Sequence, residues 1–381
     1  NDTIYLDVII WYHLYKYLLQ VSYQTNKMKK IIYIILILVL AYNCQNEGKS
    51  NENIFIGETI FIDKFPLDLS LKGEYISLTS LGAESMYSID TFLIFISSKI
   101  DTFYSVYSTK TEKHIVNLLP KGRGINEFSN ANSPLFNCID SNCMKIYLFD
   151  RTHSCISTLN LTKSLQNLTT ILDSNTIDLN IEPEIKGAFL LNDSSLFYHY
   201  FSFSNRNEYY SIYNRKTNTF IQQDSIYRHS INNIGNIFLW TTHSCYNLRE
   251  QKYATAMEFL NQINLYSLSQ KKAISLVYNG NISDLKKVEE CPMPEKYTYY
   301  VDFTSTTKLL FGLYANQTRK DWALKDNITT EIHVIDWEGI PKFKLNIQEK
   351  LSKIAINEKE KIMYGLTLEE EVYKYNLEEI L

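Results

Sequence analysis

From about residue 53 onward the chain reads as short runs in which apolar and polar positions alternate, separated by turns rich in Asn, Thr, Lys and Gly. Alternation with period two marks half-buried strands, and a short polar interval between two such runs marks a hairpin. One hairpin recurs. KIYLFDRTHSCISTLNL (Lys145 to Leu161) and KIMYGLTLEEEVYKYNL (Lys361 to Leu377) match in length without gaps and share Lys, Ile, an Ile/Val position and the closing Asn-Leu. The second strand of this unit, followed by a polar turn and another apolar run, returns along the chain. Its copies are FYSVYSTKTEKHIVNL from Phe103, CISTLNLTKSLQNLTTIL from Cys155, YYSIYNRKTNTFIQQ from Tyr209, INLYSLSQKKAISLVY from Ile263, EIHVIDWEGIPKFKLNI from Glu331 and EVYKYNLEEIL from Glu371. The first four lie roughly fifty residues apart, an interval typical of propeller blades. A longer interval before the fifth is assigned to an insertion from Ala315 to Thr330.

Earlier strands complete each unit. They are read as Tyr75 to Leu78 with Phe92 to Ser97, Phe136 to Asp140 with Lys145 to Asp150, and Gly187 to Leu191 with Leu196 to Phe201. The later units use Asn236 to Thr241 with Tyr253 to Met257, Tyr299 to Phe303 with Lys308 to Tyr314, and Ser352 to Ile356 with Ile362 to Leu366. Four strands in each of six units, with no convincing long helix, predict an all-β fold, a six-bladed β-propeller of four-stranded antiparallel blades. The sixth unit stops after its third strand. The strand-like segment Asn53 to Asp63 is therefore expected to pair with Glu371 to Leu377, closing the ring and leaving no bare sheet edge.

The front of the chain has a different character. Met28-Lys29-Lys30 precedes the apolar run Ile31 to Leu40, which is followed by Ala41 and then Tyr42-Asn43-Cys44. A cationic start, an apolar core of about ten residues and a following Cys form the layout of a bacterial lipoprotein signal. The core is short of the roughly 20 residues a spanning helix needs. Cys44 is the expected lipid attachment point. An ordinary cleaved signal and an uncleaved anchor are the alternatives. The expected organisation is thus an upstream extension over 1–27 outside the fold, a signal peptide over 28–43, a polar tether over 44–53 and one propeller domain over 54–381.

Composition narrows the class. Hydrophobic residues make up 45% and charged residues 21%, which is globular composition. Tyr is abundant at 29 copies and Gly scarce at 12, as suits many short pleated strands. The formal net charge of −4 and the excess of Lys over Arg leave no basic face for nucleic acid, so no such partner is expected.

The signal, the six units, LPKGRGINEFSN (Leu119 to Asn130) and IHVIDWEGIPKFKLNI together resemble the six-bladed, TolB-like β-propeller lipoproteins of Bacteroidetes. The resemblance covers residues 28–381. Where that family often has Gly-Pro-Gly, this chain has Gly124-Ile125-Asn126. It implies an exported protein held at the outer membrane through a lipid, facing the periplasm or the surface, and it implies little chemistry.

Candidate site residues are few. Arg123 and Glu127, in the Gly-rich connection after the first unit, either shape that turn or stand at the channel mouth as ligand contacts. The loop lacks the strand-before, helix-after context of a phosphate loop. His243 and Cys245 share one face if their segment is extended, and His243 is a candidate ligand contact. No second pair gives zinc-like spacing, so no metal site and no cofactor are expected. Cys138 and Cys143 flank a hairpin and are the candidate disulfide. No catalytic residue can be assigned. Two functions survive. One is a non-catalytic, monomeric binding or scaffold module for a glycan, peptide or envelope protein. The other is a channel-centred enzyme of the metal-dependent lactonase, hydrolase or lyase type. Innermost strands read as GAFLL and NIFLWT are mostly apolar, which favours the first.

Overall fold

The computed structural model describes residues 53–381 except 54, 79–81, 125–126, 130–133, 141–142, 151–154, 175, 179–183, 193, 203–206, 218, 227–240, 281 and 326–327. The extension over 1–27, the signal, Cys44 and all of the tether but Asn53 lie outside the described residues.

The described residues open with three short strands, β1 (Glu58–Ile62), β2 (Leu67–Leu71) and β3 (Glu74–Ile76), and then build the sheets in order. Sheet I contains β4 (Ala83–Ile89), β5 (Phe92–Ser97), β6 (Thr102–Ser108) and β7 (His114–Pro120). Sheet II contains β8 (Pro134–Asp140), β9 (Cys143–Asp150), β10 (Cys155–Asn160) and β11 (Ile177–Asp178). Sheet III contains β12 (Glu184–Asn192), β13 (Ser195–Ser202), β14 (Asn207–Asn214) and β15 (Thr219–Ser225). In sheet IV, β16 (Thr242–Asn247), β17 (Lys252–Met257), β18 (Gln262–Ser267) and β19 (Lys272–Tyr278) are joined by β1. In sheet V, β20 (Tyr297–Ser305), β21 (Leu309–Thr318), β22 (Thr330–Asp336) and β23 (Pro341–Ile347) are joined by β2. Sheet VI contains β24 (Leu351–Asn357), β25 (Ile362–Thr367) and β26 (Val372–Asn376), with β3 as its fourth strand. The architecture is an all-β propeller of mainly antiparallel blades with four or five strands.

Each predicted repeat falls on the third strand of a sheet, as β6, β10, β14, β18, β22 and β26. Middle strands lie between neighbouring sheets and are buried on both faces. Thus β5 (FLIFIS), β17 (KYATAM) and β18 (QINLYS) are buried almost throughout, whereas outer β15 is largely exposed. Shared cores join the sheets. One unites Ile94, Ile96 and Phe103 of sheet I with Ile146 and Leu159 of sheet II. A second spans sheets II to IV through Ile156, Phe197 and Tyr253, and a third joins IV to V through Ala254 and Tyr300. Sheet V meets VI through Ile332 and Ile354, and VI meets I through Tyr364 and Phe95. Rings at these joints lie close, as for Phe197 and Tyr253 at 4.9 Å and Tyr210 and Tyr266 at 4.6 Å. Each such pair adds about 0.5–1.5 kcal/mol beyond its area burial.

The edge arrangement departs from expectation. The segment 53–63 does not reach Glu371 to Leu377. Instead, β1 runs parallel to β19, with Glu58 opposite Ile274, and β2 runs parallel to β23, with Leu67 opposite Phe343. It is β3 that lies antiparallel to β26, with Tyr75 opposite Tyr373. The cause is local anchoring near sheet IV. The Asn53 amide donates to Gln262 Oε1 at 3.1 Å, and Phe55 is buried in the core shared by sheets III and IV. Gly57 sits at φ +93° against the Ala273 carbonyl, where a Cβ would lie 2.0 Å from the oxygen. From that anchor the chain must pass sheet V before it meets sheet VI. The three strands therefore form one strap along the outer edges of three sheets.

Other corrections follow. Tyr75 and Ile76 belong to sheet VI, and the first strand of sheet I is Ala83–Ile89, unforeseen in the sequence. The expected strand Asn236 to Thr241 lies outside the described residues except for Thr241, and sheet IV begins with the polar Thr242–Asn247. After β10 comes helix α1 (Leu161–Asn167) rather than a strand, because the Asn160 side chain caps it by accepting from the Lys163 amide at 3.1 Å. A second short helix, α2 (Leu285–Glu290), is capped by Asp284. The predicted insertion holds α3 (Arg319–Leu324), whose buried Trp322 lies under Lys350 Nζ at 5.5 Å. The Cys138–Cys143 bridge is not formed. Across the hairpin Cys138 faces Lys145 and Cys143 faces Asp140, and Cys143 is a free thiol. Residues offset by two along an antiparallel pair stand about 7–8 Å apart, at or beyond disulfide reach.

The strap makes a prediction. Gly57→Ala combines a positive-φ penalty with overlap on the Ala273 carbonyl and should cost about 1–3 kcal/mol in a urea melt. An unchanged midpoint would mean the strap does not contribute to stability.

Candidate functional site

The first strands of the sheets run side by side and enclose a cavity of about 1070 Å³. Its wall draws on β4, β12, β16, β20 and β24, with Phe149 from sheet II. The wall is not apolar. Lys186, Arg249 and Lys353 are matched by Glu84, Asp302 and Glu358, three cations against three anions, among Ser and Thr hydroxyls. The expectation of apolar inner strands fails at sheet IV, whose first strand is Thr-His-Ser-Cys-Tyr-Asn.

Three charged or polar groups from different sheets meet at one point on this wall. Asp302 on β20 is held by the Ile354 amide, which donates to its Oδ2 at 2.8 Å. Its Oδ1 stands 3.7 Å from Lys353 Nζ on β24 and 3.9 Å from His243 Nδ1 on β16. Lys353 Nζ also donates to the Val301 carbonyl at 3.3 Å. His243 Nε2 is buried without a hydrogen-bond partner. Burial and then the nearby Lys353 charge hold the His243 pKa down to about 4, with Asp302 offsetting part of the effect. Imidazole is therefore the resting form. Burial likewise pushes the Cys245 thiol far above its ordinary pKa, which leaves it unreactive.

Behind the wall lies a buried chain of polar groups between sheets III and IV. Tyr253 Oη is 3.0 Å from His199 Nδ1, and His199 Nε2 is 3.0 Å from Glu208 Oε2. Glu208 in turn pairs with Lys186, whose stem lines the cavity. Gly187 makes room for this chain, since a Cβ there would lie 2.3 Å from the Tyr253 hydroxyl. Burial lowers the His199 pKa, against the pull of Glu208. The Glu208 carboxylate is also held below its ordinary value: burial acts to raise it, and Lys186 and His199 together outweigh that effect. The group satisfies its own hydrogen bonds and so supports the wall.

Of the sequence candidates, His243 lies on the cavity wall. Arg123 and Glu127 do not. Arg123 is exposed in the connection after sheet I, and Glu127 turns its carboxylate onto its own loop, accepting from the Gly124 amide at 2.7 Å. Asp302, Lys353 and Lys186 were missed by sequence reasoning. Nothing local marks them, although the insertion of charge into otherwise apolar strands (YYVDF, LSKIA) is a usable signal.

The histidines predict acid sensitivity. A base whose folded pKa lies below its unfolded value near 6.5 leaves stability intact above pH 6.5 and removes it as pH falls towards 4. His243 alone accounts for up to about 3 kcal/mol, and His199 and His333 act in the same direction. Urea melts from pH 7 to pH 4.5 should show falling stability, with a shallower fall in His243→Gln. Equal slopes would remove His243 from this account.

The family model for TolB-like 6-blade propeller-like proteins matches residues 84–359. Among solved structures, a member of the DUF4221 family from Bacteroides vulgatus is similar at TM-score 0.51 and 10% identity, covering 81% of this chain and 98% of that one. A candidate exported protein from Bacteroides fragilis is similar at TM-score 0.49 and 12% identity, covering 83% and 98%. No curated protein matches the chain.

Proposed function

Since the chain belongs to the TolB-like 6-blade propeller-like family, we propose that it is a lipid-anchored binding or scaffold module of the cell envelope, with the six sheets as blades of one closed ring. Cys44 carries the lipid, the polar segment behind it is the tether, and the monomeric ring faces the periplasm or the cell surface. Its cavity receives a glycan, a peptide or part of an envelope protein. The observation that carries this reading is the wall itself. It is large enough for a ligand and lined by polar groups from several sheets. His243 titrates near 4, and the Cys245 thiol is strongly raised. The second reading, a channel-centred enzyme, is favoured by one feature, the meeting of Asp302, His243 and Lys353 from three sheets.

The test uses the full chain produced in a Bacteroides host. The protein should partition with the outer membrane, and Cys44→Ser should move it to the soluble fraction. Partition unaffected by Cys44→Ser would refute the lipid anchor. Recovery of the protein from native envelopes should bring down a bound glycan or polypeptide identifiable by mass spectrometry. Recovery without any ligand, together with turnover in a substrate panel, would transfer the assignment to the enzyme reading.

A further inference from the structure

The strongest unassigned feature is the unused hydrogen-bonding capacity at Asp302, Lys353 and His243, and the argument rests on the binding reading above. Asp302 Oδ1 has two donors facing it, at 3.7 Å and 3.9 Å, and both are too far for a hydrogen bond. Among the described residues the Lys353 ammonium makes one hydrogen bond, to the Val301 carbonyl, although it carries three donors. His243 Nδ1 makes none, and its Nε2 is unpartnered. The three groups stand on first strands of three different sheets. Asp302 is further fixed by the Ile354 amide.

What fits between them is an atom that both donates and accepts. A hydroxyl oxygen can donate to Asp302 Oδ1 while accepting from Lys353 and from His243. A carboxylate or sulfate at this point would meet the Asp302 charge, and an ammonium would meet Lys353. At this point the Asp302 carboxylate and the Lys353 ammonium offset each other, so neither sign of charge is favoured. Water could fill a single such gap, but a cavity of about 1070 Å³ is many times the roughly 30 Å³ a water occupies. It lies just above the usual range for small-molecule sites, about 300–1,000 Å³. We propose that the cavity binds an uncharged, hydroxyl-rich ligand, a neutral oligosaccharide, and that Asp302, Lys353 and His243 hold one of its hydroxyl groups.

Isothermal titration of the full chain purified in detergent tests this with maltotetraose, cellotetraose, xylotetraose and mannotetraose. Trigalacturonate and a mixed tetrapeptide library are the comparators. At least one neutral tetrasaccharide should bind, and Lys353→Met, which keeps the apolar stem, should weaken it about tenfold or more. Asp302→Asn keeps an acceptor for the Ile354 amide and should weaken binding similarly. It is the second variant should Lys353→Met melt early. Preference for trigalacturonate or for peptides would overturn the neutral-glycan assignment while leaving the binding module intact. Neutral sugar bound equally well by both variants would place the site elsewhere. Absence of any binding, to sugars, peptides or envelope components, would bring down both readings.

Discussion

A four-stranded sheet of this size has two apolar faces and cannot bury either one by itself. Everything else in the molecule follows from that constraint. The middle strands need cover on both sides, so each sheet stacks against the next, and the shared cores run from sheet I through sheet VI and back to sheet I. Tyrosine suits these joints because its ring packs between sheets while its hydroxyl can reach a polar partner. Tyr253 and Tyr300 do this through His199 and His333. The cavity is the space that remains where the first strands come together without filling the centre.

Much of this order is visible in the sequence, and the reason is periodicity. A third strand followed by a polar turn and another apolar run leaves the same pattern in every sheet, so all six third strands could be found. First strands carry a weaker pattern because one edge faces the cavity. Thr242–Asn247 has no apolar run at all, and the neighbouring NIFLWT drew the assignment away from it. The strap was visible as strands but not as pairings. An alternating segment such as ETIFI is compatible with any free edge, and its position is decided by Gly57, Phe55 and Asn53 touching residues far along the chain.

The site was legible in smaller part. His243 stood out because a histidine beside a cysteine in an extended segment is unusual. Asp302 and Lys353 are single charges in strands whose neighbours are apolar, and their meaning appears once three sheets bring them to one place. Glu127 takes the turn-shaping alternative of the two the sequence offered. A Gly-rich loop with an Arg and a Glu looks like a ligand cradle, yet the carboxylate serves the backbone amide three residues before it.

The strap also imposes an order of events. Its strands come first in the chain, while β19, β23 and β26, the edges it covers, come from the second half. As the polypeptide emerges from its N-terminus, the strap has nothing to pair with until sheets IV to VI exist. Assembly must therefore finish at the beginning of the chain, through contacts of long sequence separation, the kind that make folding slow. Until that step, three sheets wait with open outer edges. A chain built this way has its outer edges covered only once its last sheet has formed.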